Sequence, residues 1–144
     1  MTLEEHCRRL EKMYQAAPVN RFYSPVMQVS EGFAEITIQI VNDFFHAANA
    51  VHGSVYFKML DDAAYFAANS LEKEFFVVTS SFTTYLTRPI SSGYMRSEGR
   101  VVNRSASQFI AEAVVYNSAG KELGRGSGIF VRSKNRLLDI DGYR

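Results

Sequence analysis

Asp61 and Asp62 stand side by side in an otherwise apolar run, HGSVYFKMLDDAAYFAANS, that opens on His52-Gly53. A carboxylate can attack a carbonyl or take a proton from water, and backbone N–H groups at a helix start can stabilise the oxyanion that forms. With residues 55–71 set on a helix at about 100° per residue, Lys58, Asp62, Tyr65 and Asn69 share one narrow stripe. Asp62 belongs to this polar stripe and is predicted to be a solvated surface carboxylate, able to pair with Lys58 four residues earlier. Asp61 lies off the stripe, with Phe57, Lys58, Ala64 and Ala68 as helical neighbours. An ionised carboxylate among apolar groups is costly unless paired. Two readings of Asp61 stand: an ion pair with Lys58, or a general base or nucleophile in a dry cleft.

Gly53 stands at the helix start, where N–H groups are free and a missing side chain lets a ligand approach the backbone. His52, just before it, is expected to hydrogen-bond the loop and so orient the Gly53 peptide. Gly53 and Asp61 are eight residues apart, roughly 12 Å along a helix. One small carbonyl group cannot touch both. If both act on one substrate they must come from different chains, with the two helices antiparallel across a two-fold axis. The catalytic reading thus implies a homodimer with two composite sites, alone or paired into a homotetramer.

These residues need elements to hold them. Thr2 and Glu5 form a capping box, Leu3, Cys7, Leu10 and Tyr14 recur at helical spacing, and Pro18 ends an N-terminal helix over 1–18. FAEITIQIV alternates: Ala34, Ile36, Ile38 and Ile40 point one way, as in a half-buried strand. His46 to Asn49 reads as loop and Gly53 to about Ser70 as a long helix. Strands are predicted at about 76–87, 94–103, 107–117 and 122–132, separated by turn signals at Ser91-Ser92-Gly93 and Asn117-Ser118-Ala119-Gly120. Gly124, Gly126 and Gly128 alternate in the last strand and predict close approach of another backbone, the central helix. Residues 133–144 read as a polar, irregular tail. The order predicts one α+β domain over 1–144, a curled antiparallel sheet around one long helix.

Composition narrows the class. A net charge of +1 supplies no concentrated basic field for nucleic acid. The single cysteine, Cys7, allows no internal disulfide and no cysteine-rich metal site, and reads as a small buried residue. The charged start MTLEEHCRRLEK does not read as a signal peptide, and no apolar stretch reaches membrane-spanning length. The expectation is a cytoplasmic domain that engages no membrane.

The chain resembles the hotdog-fold acyl-CoA thioesterases of the phenylacetate-pathway (PaaI-like) type. Their motif is roughly N-x-x-G-x-x-H-G-G, then six residues, then a catalytic Asp in a helix. His52-Gly53 matches the HG pair, Asp61 takes the catalytic position, and Thr79, eighteen residues on, stands where relatives carry Ser or Thr to hold the water. LTRPI, SEGRVV and NSAGKELGRGSGIFV resemble the family's strand endings and final hairpin, so the likeness spans about residues 20–132. Ser54 replaces a Gly and should leave a backbone donor in place. Asn49 stands where the family usually has Gly, and His46 where it often has Asn or Gln to orient water or substrate.

The resemblance implies hydrolysis of an acyl-CoA thioester by Asp61, Gly53, His46 and Thr79, with His52, Ser54, Asn49 and Arg88 on the substrate-binding side. It implies no metal and no cofactor, coenzyme A being part of the substrate. Arg88, Arg100, Arg104 and Arg125 are candidates for its phosphates. Tyr56, Phe57 and Phe82 either shape an acyl pocket or pack in the core. Two rivals remain. An acyl-thioester dehydratase or hydratase would pair His46 with Asp61, fifteen residues apart, but the family's HFPGxP-like loop is absent. A non-catalytic acyl-CoA binder would have little need of Asp61.

Overall fold

In the computed structural model, which describes residues 1–144, the capping box closes. The Thr2 hydroxyl accepts the Glu5 N–H, and the Glu5 carboxylate accepts the Thr2 N–H. Helix α1 (Leu3–Ala16) follows, burying Cys7, Leu10, Met13 and Tyr14, and it stops short of Pro18. A single helical turn, α2 (Asn20–Tyr23), and a short strand, β1 (Val26–Ser30), come next. Strand β2 (Phe33–Gln39) buries Ala34, Ile36 and Ile38 on one face, as their alternation requires. The long helix is α3 (Gly53–Asn69), and four strands complete the chain: β3 (Phe75–Leu86), β4 (Tyr94–Arg104), β5 (Gln108–Tyr116) and β6 (Glu122–Arg136).

The six strands form one sheet, antiparallel throughout, in the order β1-β2-β4-β5-β6-β3. Helix α3 packs against all six. A sheet can reach one helix with every strand only by curling round it. The approach is closest at Gly99 of β4, where a Cβ would overlap the backbone of Ala63. Ala63, Ala64, Ala67 and Ala68 line the helix with small side chains and are fully buried.

The alternate glycines of β6 serve a different neighbour from the one expected. Their crowding comes from β3, not from α3. Phe82, paired with Gly128, lays its ring over Gly126 and Gly128, and Gly124 faces the Tyr85 carbonyl. The ring then meets Phe57 and Phe130 edge-on, at centroid distances of 5.6 and 6.3 Å. The tail also differs from its reading. Strand β6 runs on to Arg136, and Leu137 and Tyr143 are fully buried. The Tyr143 hydroxyl meets His6 Nδ1 at 2.8 Å, while His6 Nε2 donates to the Asn69 carbonyl at 2.8 Å. Two apolar anchors hidden among charged residues thus tie the C-terminus to α1 and to the end of α3. No helix is long and apolar enough to cross a membrane.

The two sheet edges are treated differently. At β1, Val29 donates its N–H to Glu11 (2.8 Å) and accepts from Arg8 (2.6 Å), so α1 occupies the edge with side chains. Strand β3 pairs only with β6 and carries exposed Val78, Tyr85 and Leu86, with Phe57 of α3 also exposed.

Because Gly99 meets backbone rather than a movable side chain, Gly99→Ala should cost about 3 kcal/mol or more, at the top of the range for overpacking. Urea unfolding measures it, and stability within about 1 kcal/mol of wild type would contradict the contact.

Candidate active site

The loop before α3 is built by local hydrogen bonds. Asn49 adopts φ of 64°, the left-handed region that asparagine tolerates better than most residues. It closes a turn in which the Asn49 N–H donates to the His46 carbonyl at 3.0 Å. His46 Nδ1 accepts the Ala48 N–H at 3.0 Å, so a neutral ring carries its proton on Nε2. His52 caps α3: its Nδ1 accepts the Ser54 N–H at 3.0 Å and faces the Ser54 hydroxyl at 2.8 Å. Gly53 is thereby fixed as the first helical residue. His46, Gly53, Tyr56, Leu86 and Arg88 border a cavity of about 360 Å³. The Tyr56 hydroxyl donates to the Arg88 carbonyl at 2.8 Å, which holds the backbone and leaves the guanidinium side exposed.

Asp61 opens into another cavity, of about 250 Å³, shared with Tyr14, Lys58, Tyr65, Phe76 and Thr79. Thr79 of β3 donates its hydroxyl to Asp61 Oδ1 at 2.9 Å. Burial pushes the Asp61 carboxyl up to about 6 from 3.8, against the pull of the Thr79 hydrogen bond; Asp62 adds to the rise and Lys58 opposes it. Asp61 is therefore a base of near-neutral strength, oriented by one hydroxyl.

The ion-pair reading of Asp61 does not hold. Lys58 donates to Asp62 Oδ2, at 2.7 Å, and the Tyr14 hydroxyl donates to the same oxygen at 2.7 Å. Nor is Asp62 a solvated carboxylate: its side chain is 18% exposed and that of Lys58 14%. The polar stripe is covered by protein rather than water, by Tyr14 of α1 at Asp62 and by β3 at Tyr65 and Asn69. Tyr65 is buried and donates to the Val77 carbonyl, and Asn69 ties Glu72, Phe75 and Val77 together. Two stripe members that are tyrosine and asparagine, not lysine and glutamate, were the available sign of a covered face. Tyr14, read only as a core position of α1, is the site residue that the sequence reading missed.

One chain does not assemble the whole candidate set. Gly53 and His46 border one cavity, Asp61 and Thr79 the other. Of the four arginines considered for phosphates, Arg88 alone borders the Gly53 cavity; Arg125 pairs with Glu122 and Arg100 lies over the Phe33 ring. Phe57 and Phe82 stack on each other outside the Asp61 cavity, whose aromatic walls include Tyr14, Tyr65, Phe66 and Phe76.

A family model described as "Thioesterase superfamily" matches residues 48–123, which span α3 and β3 to β5 and hold Gly53, Asp61 and Thr79. The chain belongs to the thioesterase superfamily. Its fold is the hotdog fold, as in PaaI from the phenylacetic acid degradation operon of E. coli, at a TM-score of 0.85 and 18% identity over 94% of this chain and 99% of that one. A conserved protein of Pseudomonas aeruginosa aligns at 0.77 and 21% identity, over 85% and 98% of the two chains. In sequence, 107 residues are 26% identical to an Archaeoglobus fulgidus protein named "Putative esterase", spanning 74% of this chain and 69% of that one. Membership of the thioesterase superfamily supports a thioester hydrolase.

The raised Asp61 carboxyl has a stability consequence. Its ionised form is disfavoured in the fold, so this stability contribution is full below pH 3.8 and is lost as pH rises through about 6. Asp61→Asn escapes the loss. It should be more stable than wild type by about 1–2 kcal/mol at pH 7.5, a figure discounted for residual water contact, and no more stable at pH 3.5. Denaturant unfolding at the two pH values decides it; an equal difference at both would be inconsistent with the raised carboxyl.

Proposed function

We propose that the protein hydrolyses an acyl-CoA thioester to the free acid and coenzyme A, as a homodimer with two composite sites. The observation that carries this reading is Asp61: a carboxylate without a cationic partner, aimed by Thr79 into a largely apolar cavity. In the water route, Asp61 takes a proton from a water held with Thr79, and the hydroxide oxygen bonds to the thioester carbon. The oxyanion is stabilised by the N–H of Gly53 of the partner subunit. Collapse breaks the C–S bond, and the coenzyme A thiolate leaves and takes up a proton. In the covalent route the Asp61 carboxylate bonds to the thioester carbon and expels the coenzyme A thiolate, and water then hydrolyses the resulting mixed anhydride to the free acid and the Asp61 carboxylate. Neither route calls for a cofactor.

The exposed β3 edge, with Val78 and Phe57 beside it, supports pairing through β3 and α3. Antiparallel α3 helices would bring each Gly53 cavity to the other chain's Asp61. The acyl group would then occupy the roughly 250 Å³ cavity, a size for short acyl groups, and the coenzyme A arm would leave past Arg88. The hydratase reading needs His46 as a proton acceptor. The Ala48 N–H already holds the lone pair of Nδ1, which favours His46 as an Nε2–H donor to water or substrate.

Thiol release from a panel of acyl-CoAs tests the reaction. Asp61→Asn should lower kcat by about 10³-fold or more. Rapid hydration of a crotonyl thioester, with no thiol released from any acyl-CoA, would replace hydrolysis with the hydratase reading. Sedimentation at micromolar concentration should show no active monomer. Inactive Asp61→Asn and Gly53→Val subunits, refolded together, should regain roughly a quarter of wild-type activity, since half the dimers are mixed and each has one intact site. Silent mixed dimers would rule out shared sites.

A further inference from the structure

Lys58 precedes Asp61 by three residues and Asp62 by four, so either carboxylate lies within its reach on one face of α3. It takes Asp62. The choice is enforced from three elements. Asp62 Oδ2 receives both the Lys58 ammonium and the Tyr14 hydroxyl of α1, each at 2.7 Å. The ammonium also sits 5.3 Å from the Tyr14 ring centroid and 5.0 Å from that of Tyr23 on α2. Both charges of the pair are largely out of water, so neither can stay unpartnered without cost. We propose that Asp62 is a positioning residue: it holds Lys58 away from Asp61, so that the adjacent carboxylate stays unpaired and free to react.

The groups facing Asp61 are few. Lys58, Asp62 and Tyr65 lie on its own helix, Thr79 comes from β3 and Tyr14 from α1. Lys58 is the only cation among them, so it alone can quench the carboxylate. Without Asp62, a buried ammonium would turn to the one carboxylate left within reach. An Asp61 held in an ion pair is a weaker base and a poorer nucleophile, and it is turned from the substrate. This inference rests on the reading of Asp61 as the reacting carboxylate, but its first test does not.

The Asp61 carboxyl is titrated by ¹³C NMR in the intact protein, its signal assigned by loss in Asp61→Asn. In Asp62→Asn the titration should fall by about one to two units below its wild-type position, because the charged form gains a cation. In Lys58→Met it should rise, because the cation is gone while Asp62 remains. In Lys58→Met/Asp62→Asn the downward shift should vanish. With a short-chain acyl-CoA such as butyryl-CoA, Asp62→Asn should lose about tenfold or more in kcat with little change in KM. The double variant should recover most of that loss. A purely structural role for Asp62 would give lost activity with no recovery and no opposed shifts, and would overturn the proposal. So would an Asp61 titration unmoved in Asp62→Asn. If Asp62→Asn does not fold, an unmoved titration in Lys58→Met overturns it. Should Asp61→Asn keep its activity, the hydrolytic reading falls, and the opposed titration shifts still decide which carboxylate Lys58 serves.

Discussion

The contact between Gly99 and the Ala63 backbone sets how deep α3 lies in the sheet. The burial of Asp61 goes with that depth. A helix seated against six strands loses water on nearly every side, and a carboxylate placed on it is disfavoured in its charged form. The near-neutral base is therefore a product of close packing between small residues. No neighbouring charge creates it: Asp62 and Lys58 modify Asp61 in opposite senses, and burial is the leading cause.

The same burial makes the polar face of α3 demanding. Lys58 and Asp62 cannot rely on water, and the fold supplies Tyr14 and Tyr23 from the N-terminal helices to complete their pairing. Helix α1 thus has two duties. It roofs the cavity that Asp61 opens into, and it keeps the charges beside that cavity in order. A hydrogen-bonded knot at Tyr143, His6 and Asn69 holds the start of α1 to the end of α3, so the roof is tied down by the other end of the chain.

The sequence made the frame legible where periodicity was long enough to speak. Strand β2 alternates over seven residues, the central helix runs for seventeen, and the four later strands lie within a few residues of their predicted ends. Helix α2 and strand β1, of four and five residues, are too short for a period to emerge. Asp61 stood out because it broke the pattern of its helix. Asp62 misled because it fitted: a period locates a face but does not say what covers it. Thr79 is marked by its spacing in a family motif, though its bond to Asp61 is not, whereas Tyr14 meets Asp62 across forty-eight residues of chain, a distance at which no local pattern operates. The glycines of β6 show the same limit, since their spacing announced a close neighbour without naming Phe82.

The unequal edges of the sheet limit how copies can add to it. A strand with both edges open is a seed for endless growth, because each copy that docks presents a fresh edge to the next. Here Arg8 and Glu11 have already taken the N–H and C=O of Val29 at one end. The β3 end carries no such block, and joining like end to like end would use up both. The helix that roofs the cavity therefore also obstructs one edge of the sheet, which works against open-ended stacking of copies at that end.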